Sequence, residues 1–303
     1  MKNLRAEEKI AFTFSAVIIL LQLYFSINES RENLITVIYP VIFLLVFSVI
    51  IIYEQKTSSS ILSFLRLYLH IPYYGIIFTS FQSFVHKLSP YDYDKFLLEL
   101  DYIFFGNDLT VLCEKIISPW LTEILTIAYF SYYILPTLTF IVLYYSVKDN
   151  MSDYPRKYIL SVVTGWYFAF IFYTALPAAG PDIAFPEHYK IQLSGLSYFS
   201  DFYLENLGRY LKESNVRNTF PSMHFAIILI TNYFAFKLRR NYFWVCTLPF
   251  GTLLAFATIY LRQHYLIDLV AAVPLAVVCI WIGLRSPNAG NVLRYPDRQG
   301  SGV

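Results

Sequence analysis

Long apolar runs alternate with short polar segments along the whole chain. A helix needs about 20 residues to cross a bilayer, and eight runs reach or approach that length. They cover residues 10–27, 34–53, 61–84, 121–147, 158–177, 221–236, 242–261 and 264–284. The first run lacks a small-residue cleavage site and the second follows at once, so we expect a span rather than a signal peptide. The pattern predicts an all-α, multi-pass transmembrane bundle of about eight spans.

Lys and Arg residues are distributed unevenly among the polar segments. With the N-terminus inside, the cytoplasmic segments hold Lys2, Arg5, Lys9, Lys56, Lys148, Arg156, Lys157, Lys237, Arg239, Arg240, Arg285, Arg294 and Arg298. The two short outer loops hold one each, Arg31 and Arg262. Because short cytoplasmic loops carry the excess of Lys and Arg, this bias predicts an integral membrane protein with both termini in the cytoplasm.

Two outer segments are long, residues 85–120 and 178–220. Within the first, Leu109–Trp120 mixes apolar and charged residues without spanning length, which predicts an interfacial helix. After the last run, residues 286–303 are rich in Pro, Gly, Asn and Arg. We therefore predict one transmembrane domain over residues 1–285 and a disordered cytoplasmic tail over residues 286–303.

Composition narrows the class of protein. The 303 residues are 57% hydrophobic and 15% charged, against about 25% charged in ordinary globular domains. The net charge of +2 leaves no electrostatic footprint for nucleic acid. Cys113, Cys246 and Cys279 are scattered, so they form neither a disulfide framework nor a metal site. Of the classes of protein considered, the composition therefore fits one embedded in the bilayer.

Chemistry-bearing residues gather at the outer ends of runs five to eight. They are Arg217, Ser222, His224, Arg262, His264 and Asp268. His264 and Asp268, at positions i and i+4, would share a helix face. Asp268 would then bind one ring nitrogen of His264 and leave the other free as a nucleophile or base. The alternative is a structural polar pair that pins two helices together.

The segment Pro221–His224 predicts a helix start. Proline suits the first turn and Ser222 suits the cap, so unpaired N–H groups and the helix dipole make an anion site beside His224. Arg217 and Arg262 offer guanidinium forks that match phosphate oxygens. The alternatives are an ordinary helix start with an interfacial histidine, and arginines that anchor the chain at the membrane interface.

These parts together fit phosphoryl transfer. His264 would attack phosphorus, and His224 would protonate the leaving oxygen. Arg217, Ser222 with the helix N-terminus, and Arg262 would bind the phosphate oxygens. We find no carboxylate cluster that would bind a metal and expect no cofactor.

The order Pro-Ser-x-His, then His-x-x-x-Asp 40 residues after that histidine, resembles the type 2 phosphatidic acid phosphatase superfamily. Arg-x-x-Phe-Pro-Ser-Met-His and His-Tyr-x-x-Asp resemble its branch that includes inositol phosphorylceramide synthases. Leu97–Gly106 and Ile127-Ala128-Tyr129 are similar to that branch too, so the resemblance covers about residues 60–285. It implies a six-helix catalytic core, His264 as nucleophile, Asp268 as its orienting aspartate and His224 as acid.

The chain departs from the family pattern at two phosphate-binding positions. The first motif usually has Lys and then Arg-Pro, whereas Pro181 here follows Gly180. The third motif usually has an arginine six residues before its histidine, and that position is Thr258. Arg217 and Arg262 are the candidates to replace these charges.

Other polar residues receive default interpretations. His70, which shares the third run with Arg66, and His86 and His188 are expected to be solvated or interfacial. Asp92, Asp94 and Asp101 are expected to form a solvated face. Tyr265, beside the predicted nucleophile, is expected to pack in the core.

The sequence thus predicts a lipid phosphatase or headgroup phosphotransferase acting at the extracytoplasmic leaflet on a phospholipid or lipid phosphate. Water as acceptor gives a phosphatase, and a lipid hydroxyl gives a transferase. The alternatives are a lipid or anion transporter, whose intramembrane charges would line a path, and a catalytically inactive membrane scaffold. The chain shows no repeated halves of the transporter kind.

Overall fold

A computed structural model describes residues 4–29, 34–57, 59–146, 153–197, 200–206 and 216–286. Within these ranges every regular element is a helix, which confirms the all-α prediction. The tail predicted for residues 286–303 lies outside the described residues, apart from Ser286.

The helices are numbered in chain order. They are α1 (Ala6–Glu29), α2 (Leu34–Thr57), α3 (Ser60–Tyr68), α4 (His70–Gln82), α5 (Val85–Leu88), α6 (Asp94–Phe105), α7 (Leu109–Leu112), α8 (Pro119–Ser146), α9 (Tyr154–Ala175), α10 (Pro181–Ala184), α11 (described over 200–206), α12 (Met223–Leu238), α13 (Arg240–Tyr242), α14 (Leu248–Tyr260) and α15 (Leu266–Arg285). A π-helical turn, Phe243–Thr247, joins α13 to α14.

Seven helical segments in the described part of the chain are long and apolar enough to cross a membrane. Two of them combine neighbouring elements, since Ser60–Gln82 joins α3 to α4 and Arg240–Tyr260 joins α13 and the π turn to α14. The eighth predicted span is α12, which has 16 residues. The expected multi-pass arrangement is therefore confirmed.

The core of the bundle forms around α9. This helix packs against α1, α4, α8, α12 and α15, and most of its side chains are buried. Together, α3–α4, α8, α9, α12, α14 and α15 form a six-helix body, and α1 and α2 pack on its outside. The helix ends that face α6 carry the candidate site.

Buried ion pairs join α1 and α2 to this body. Arg66 on α3 donates from Nη2 to Glu8 on α1 at 2.8 Å and from Nη1 to Glu54 on α2 at 2.7 Å. Arg156 on α9 donates to Glu7 on α1 at 2.9 Å. Arg66 therefore sits within an apolar run because carboxylates from two other helices surround it.

Two local expectations are wrong. His70 is not solvated but buried, with its ring edge-on to that of Phe47 at 5.0 Å. Leu109–Trp120 is not one interfacial helix. Asp108 caps the short α7 by accepting from the Thr110 N–H at 2.9 Å, a 3-10 turn follows, and Trp120 belongs to α8 because Pro119 begins that helix.

Candidate active site

Three chain segments meet at one end of the six-helix body. They are the loop after α9, the segment before α12 and the turn between α14 and α15. The N–H of Thr219 donates to the carbonyl of Ala178 at 3.2 Å, and the N–H of Ser222 donates to the carbonyl of Asp268 at 3.1 Å. These backbone bonds hold the ends of α9, α12 and α15 together.

His264 lies in the turn before α15 rather than on the helix itself. Its Nδ1 is 3.1 Å from Oδ2 of Asp268. That same oxygen accepts the N–H of Tyr265, the N-cap residue, at 3.0 Å. Asp268 therefore caps α15 and orients the His264 ring at the same time. Tyr265 is buried, as expected.

His224 lies on the first turn of α12 and faces His264. Its Nδ1 is 3.2 Å from Nε2 of His264. Ser222 is the N-cap, and its hydroxyl oxygen accepts the N–H of Phe225 at 3.4 Å. Pro221 precedes this cap and does not occupy the first turn. The rings of Tyr129 and Tyr132 pack on His224, with centroid distances of 4.7 and 4.3 Å.

The surroundings of His264 favour the neutral form of its imidazole ring. It is 3% exposed, and burial together with the neighbouring His224 holds the pKa of His264 well below its usual range. A neutral ring whose Nδ1 is bound to Asp268 presents the lone pair of Nε2 to the site. That atom is the one that faces His224.

The two arginines bind carboxylates outside the histidine pair. Arg217 Nε lies 2.7 Å from Oδ1 of Asp92. Arg262 donates to the carbonyl of Ile191 at 2.6 Å and to Glu114 at 3.3 Å, and its guanidinium lies over the ring of Tyr189. The structure thus brings His224, His264 and Asp268 together, but the guanidinium groups of Arg217 and Arg262 bind other partners.

Arg262 also shapes the turn that carries His264. Its φ of +61° lies in the left-handed region. This conformation lets the N–H groups of Gln263 and His264 both donate to the carbonyl of Thr258, at 2.9 and 3.1 Å. Thr258 occupies the position where the family usually has an arginine, and it supplies backbone geometry instead of charge.

A cavity of about 90 Å³ lies beside the histidines. Among the described residues that line it, none is Lys, Arg, Asp or Glu. Its polar lining, besides the histidines, consists of Tyr129, Tyr133, Asn218, Thr219 and Gln263. In the described ranges, no three His, Cys, Asp or Glu side chains converge as metal ligands would.

A larger, mainly apolar cavity of about 480 Å³ adjoins the small one. It lies between α4 and α8 and ends at His224, with Trp166 of α9 in its wall. The two cavities share Phe78, Tyr133, Asn218 and His224. The apolar cavity between two candidate spans therefore adjoins the small cavity at the histidine pair.

Two aspartates on α6 contradict the expected solvated face. Asp94 is 4% exposed and Asp101 is 1% exposed, while Asp92 is exposed as expected. Both buried carboxylates bind backbone N–H groups of the loops that form the site. The sequence signal was available, because 94, 97, 98 and 101 follow the i, i+3, i+4, i+7 spacing of a buried helix face.

The chain is similar to known phosphatase-related proteins. The PAP2 superfamily matches residues 109–282, a range that contains His224, His264 and Asp268. A PA-phosphatase related-family protein of Dictyostelium discoideum is 27% identical over 198 residues, which are 60% of this chain and 35% of that protein. The matched segment thus spans about a third of the length of that relative. No solved structure matches.

The family match covers more than half of the chain and every residue of the predicted catalytic set. Its boundaries leave α1 to α6 outside. The chain therefore belongs to the PAP2 superfamily.

Proposed function

We propose that this protein is a membrane-embedded lipid phosphatase or phosphotransferase that works through a phosphohistidine at His264. The main support for this proposal is the orientation of the His264 ring. Its Nδ1 is held by Asp268, while Nε2 faces His224. Membership of the PAP2 superfamily supports phosphatase-type chemistry.

In the first step, the Nε2 lone pair of His264 attacks phosphorus. A P–N bond forms, the bond from phosphorus to the leaving oxygen breaks, and His224 gives a proton to that oxygen. In the second step, water or an alcohol attacks the phosphohistidine. His224 takes the proton of the attacking group, and the P–N electrons return to Nε2. Asp268 stabilises the positive charge that the His264 ring carries between the steps.

Substrate entry must separate the two histidines. At 3.2 Å the two ring nitrogens contact each other directly, so a phosphoryl group reaches Nε2 only when it displaces His224. The adjoining 90 Å³ cavity, which Asn218 and Gln263 line, offers neutral donors for phosphate oxygens at that moment.

The apolar cavity between α4 and α8 supports a lipid as substrate. It ends at His224, so a chain lying in it would bring its phosphate to the histidine pair. We place the site at the extracytoplasmic leaflet, because the Lys and Arg bias assigns the opposite helix ends to the cytoplasm.

The start of α12 and the neutral lining of the small cavity would bind the phosphate first, and Arg217, which does not line that cavity, is the candidate to supply charge after it leaves Asp92. Arg217 pairs with an Asp92 side chain that is 48% exposed, so phosphate can replace this carboxylate with little loss. Ser222 contributes by capping α12 and directing its free N–H groups. Arg262 is held by Glu114 and Ile191 in a buried position, and we assign it to the turn rather than to phosphate.

Headgroup transfer is the second candidate, and the neutral lining of the small cavity favours it. A phosphomonoester carries a charge of about −1.5 to −2 at neutral pH, whereas a phosphodiester carries one negative charge. A site without the family's usual basic residues suits the phosphodiester of a phospholipid. The resemblance to the inositol phosphorylceramide synthase branch points the same way, with a lipid hydroxyl as acceptor.

The test uses purified protein and a panel of phosphate-labelled phospholipids that includes phosphatidic acid and phosphatidylinositol. Each is tried with and without diacylglycerol or ceramide, and His264→Ala serves as the blank. Phosphate release without acceptor establishes a phosphatase, and headgroup movement that needs the acceptor establishes a transferase. An alkaline quench, which preserves the acid-labile P–N bond, traps the label on the protein for counting. Turnover or label that persists in His264→Ala overturns the role of His264. A wild-type signal no higher than this blank overturns the proposed activity and favours the transporter and scaffold alternatives.

A further inference from the structure

Helix α6 lies across the loops of the candidate site, although it precedes the part of the chain that the family match covers. Its buried face carries Asp94 and Asp101, two helical turns apart. Leu97 and Leu98 lie between them and pack with Tyr265. The face therefore presents two carboxylates, seven residues apart, to the same part of the fold.

Asp101 binds the start of α15. Its two carboxylate oxygens accept the N–H groups of Leu266 and Ile267, each at 2.8 Å. These are the first two helical residues, whose N–H groups have no partner within the helix. Asp268 follows directly in the same turn. Asp101 thus fixes the direction in which α15 begins and, with it, the position of the carboxylate that holds His264.

Asp94 binds the loop after α9 and the residue next to His264. It accepts the N–H groups of Ala179 and Gly180 at 2.9 and 2.8 Å, and the hydroxyl of Tyr265 at 2.9 Å. Gly180 has φ +96°, and a Cβ there would lie 2.9 Å from the carbonyl oxygen of Gln263. Asp94 therefore ties this loop closely to the turn that carries the nucleophile.

Buried carboxylates are costly unless several donors satisfy them. Here the five donors come from the site loops and from the beginning of α15, and three of them belong to the three residues that follow His264. Because most of these donors belong to the turn that carries His264, the two carboxylates fix that turn in addition to stabilising the fold.

We propose that Asp94 and Asp101 are positioning residues that hold the His264–Asp268 pair in line for attack on phosphorus. This inference rests on the proposed role of His264. Asp101 acts through α15 and Asp94 acts through Tyr265, and neither touches the reacting atoms. The N-terminal part of the chain thereby takes part in catalysis through α6.

The test compares Asp101→Asn with Glu99→Gln, which makes the same chemical change on the same helix at a side chain that is 58% exposed. Single-turnover label transfer from the phospholipid panel to protein gives a rate and an amplitude. We expect the Asp101→Asn rate to fall about 100-fold, the loss that a 1 Å misplacement produces. Amplitude and KM stay unchanged, Asp101→Glu recovers part of the rate, and Glu99→Gln behaves as wild type.

Two results would overturn the inference. One is an Asp101→Asn rate within twofold of wild type, and the other is a lower amplitude at an unchanged rate, which indicates only a smaller folded fraction. If Asp101→Asn does not fold, Tyr265→Phe carries the test, because it removes one donor to Asp94 and keeps the ring; its rate should fall at unchanged amplitude. His264→Ala runs in parallel, and label that persists there contradicts the proposed function instead.

Discussion

Three contacts of His264 determine the chemistry that we propose for the site. Its backbone N–H binds the carbonyl of Thr258, Nδ1 binds Asp268 and Nε2 meets His224. Each contact constrains a different property, namely the position of the ring, its orientation and access to its lone pair. Because the ring is 3% exposed, water cannot substitute for any of these partners.

The pH dependence should reflect the neutral state of His264. Burial and His224 lower the pKa of His264, so the ring stays neutral as the pH falls through 6.5, the ordinary histidine value. A backbone hydrogen bond at Thr219 opposes this lowering of the pKa but does not reverse it. We expect the acid-side midpoint of kcat/KM to lie below pH 6.5. A phosphodiester lipid is the better substrate for the measurement, because a phosphomonoester itself titrates near pH 6. A midpoint at or above 6.5 contradicts the prediction.

Arg217 should matter through its guanidinium and not through its pairing with Asp92. Arg217→Lys removes the fork that fits phosphate, so we expect KM for the phospholipid to rise about tenfold. Asp92→Asn, the matched change on the partner, frees the guanidinium and should leave KM unchanged or lower it. Steady-state kinetics on both variants decide the matter. Equal increases in KM would mean that the ion pair itself, at 2.7 Å, is what the site needs.

At the scale of single helices, α4 forms one wall of the apolar cavity. Gly75 lies on this wall, and a Cβ built there meets no heavy atom within 4 Å. A larger side chain at this position can therefore be added without disturbing the packing of α4, and it takes space from the grooves that Gly75 lines.

We expect Gly75→Leu to impair long-chain substrates selectively. KM for a long-chain phospholipid should rise by about tenfold, because the cavity would lose space for a chain, while a dioctanoyl analogue should be turned over nearly as before. Gly75→Ala is the control, since it adds only a methyl group and improves helix propensity by about 1 kcal/mol. An equal loss on both chain lengths would show that the cavity does not receive the lipid chain.

The elements differ in how far the sequence could predict them. Apolar runs predicted the long helices, and the spacing of His224, His264 and Asp268 predicted a site that the fold brings together. The break between α3 and α4 at Leu69 lies inside one apolar run, and its sequence signal is Pro72, which has no N–H to donate to the carbonyl of Tyr68 in a continuous helix. Asp94 and Asp101 were expected to be solvated because carboxylates usually face water. Their burial depends on backbone N–H donors that only the fold brings next to them.

At the scale of the whole molecule, the buried ion pairs attach α1 and α2 to the six-helix body. Arg66→Met would leave Glu8 and Glu54 buried without this partner. We expect it to lower the free energy of unfolding by about 3–5 kcal/mol. Lys95→Met, at an exposed pair with Glu99, should change it by less than about 1 kcal/mol. Denaturant unfolding in detergent measures both, and similar losses in the two variants would contradict this role for the network.

The sidedness of the whole molecule is predicted from the Lys and Arg bias and can be measured directly. Ser194 is exposed in the segment between α10 and α11, and Asn241 is exposed at the opposite end of the bundle, between α12 and α14. In a background with Cys246→Ser, which removes the half-exposed native thiol, we expect Ser194→Cys to react with an impermeant maleimide on intact cells. Asn241→Cys should react only after permeabilisation, because Lys237, Arg239 and Arg240 predict a cytoplasmic loop there. The reverse pattern would place the histidine pair at the cytoplasmic leaflet and would change which lipids can reach it, while leaving the chemistry of His264 as proposed.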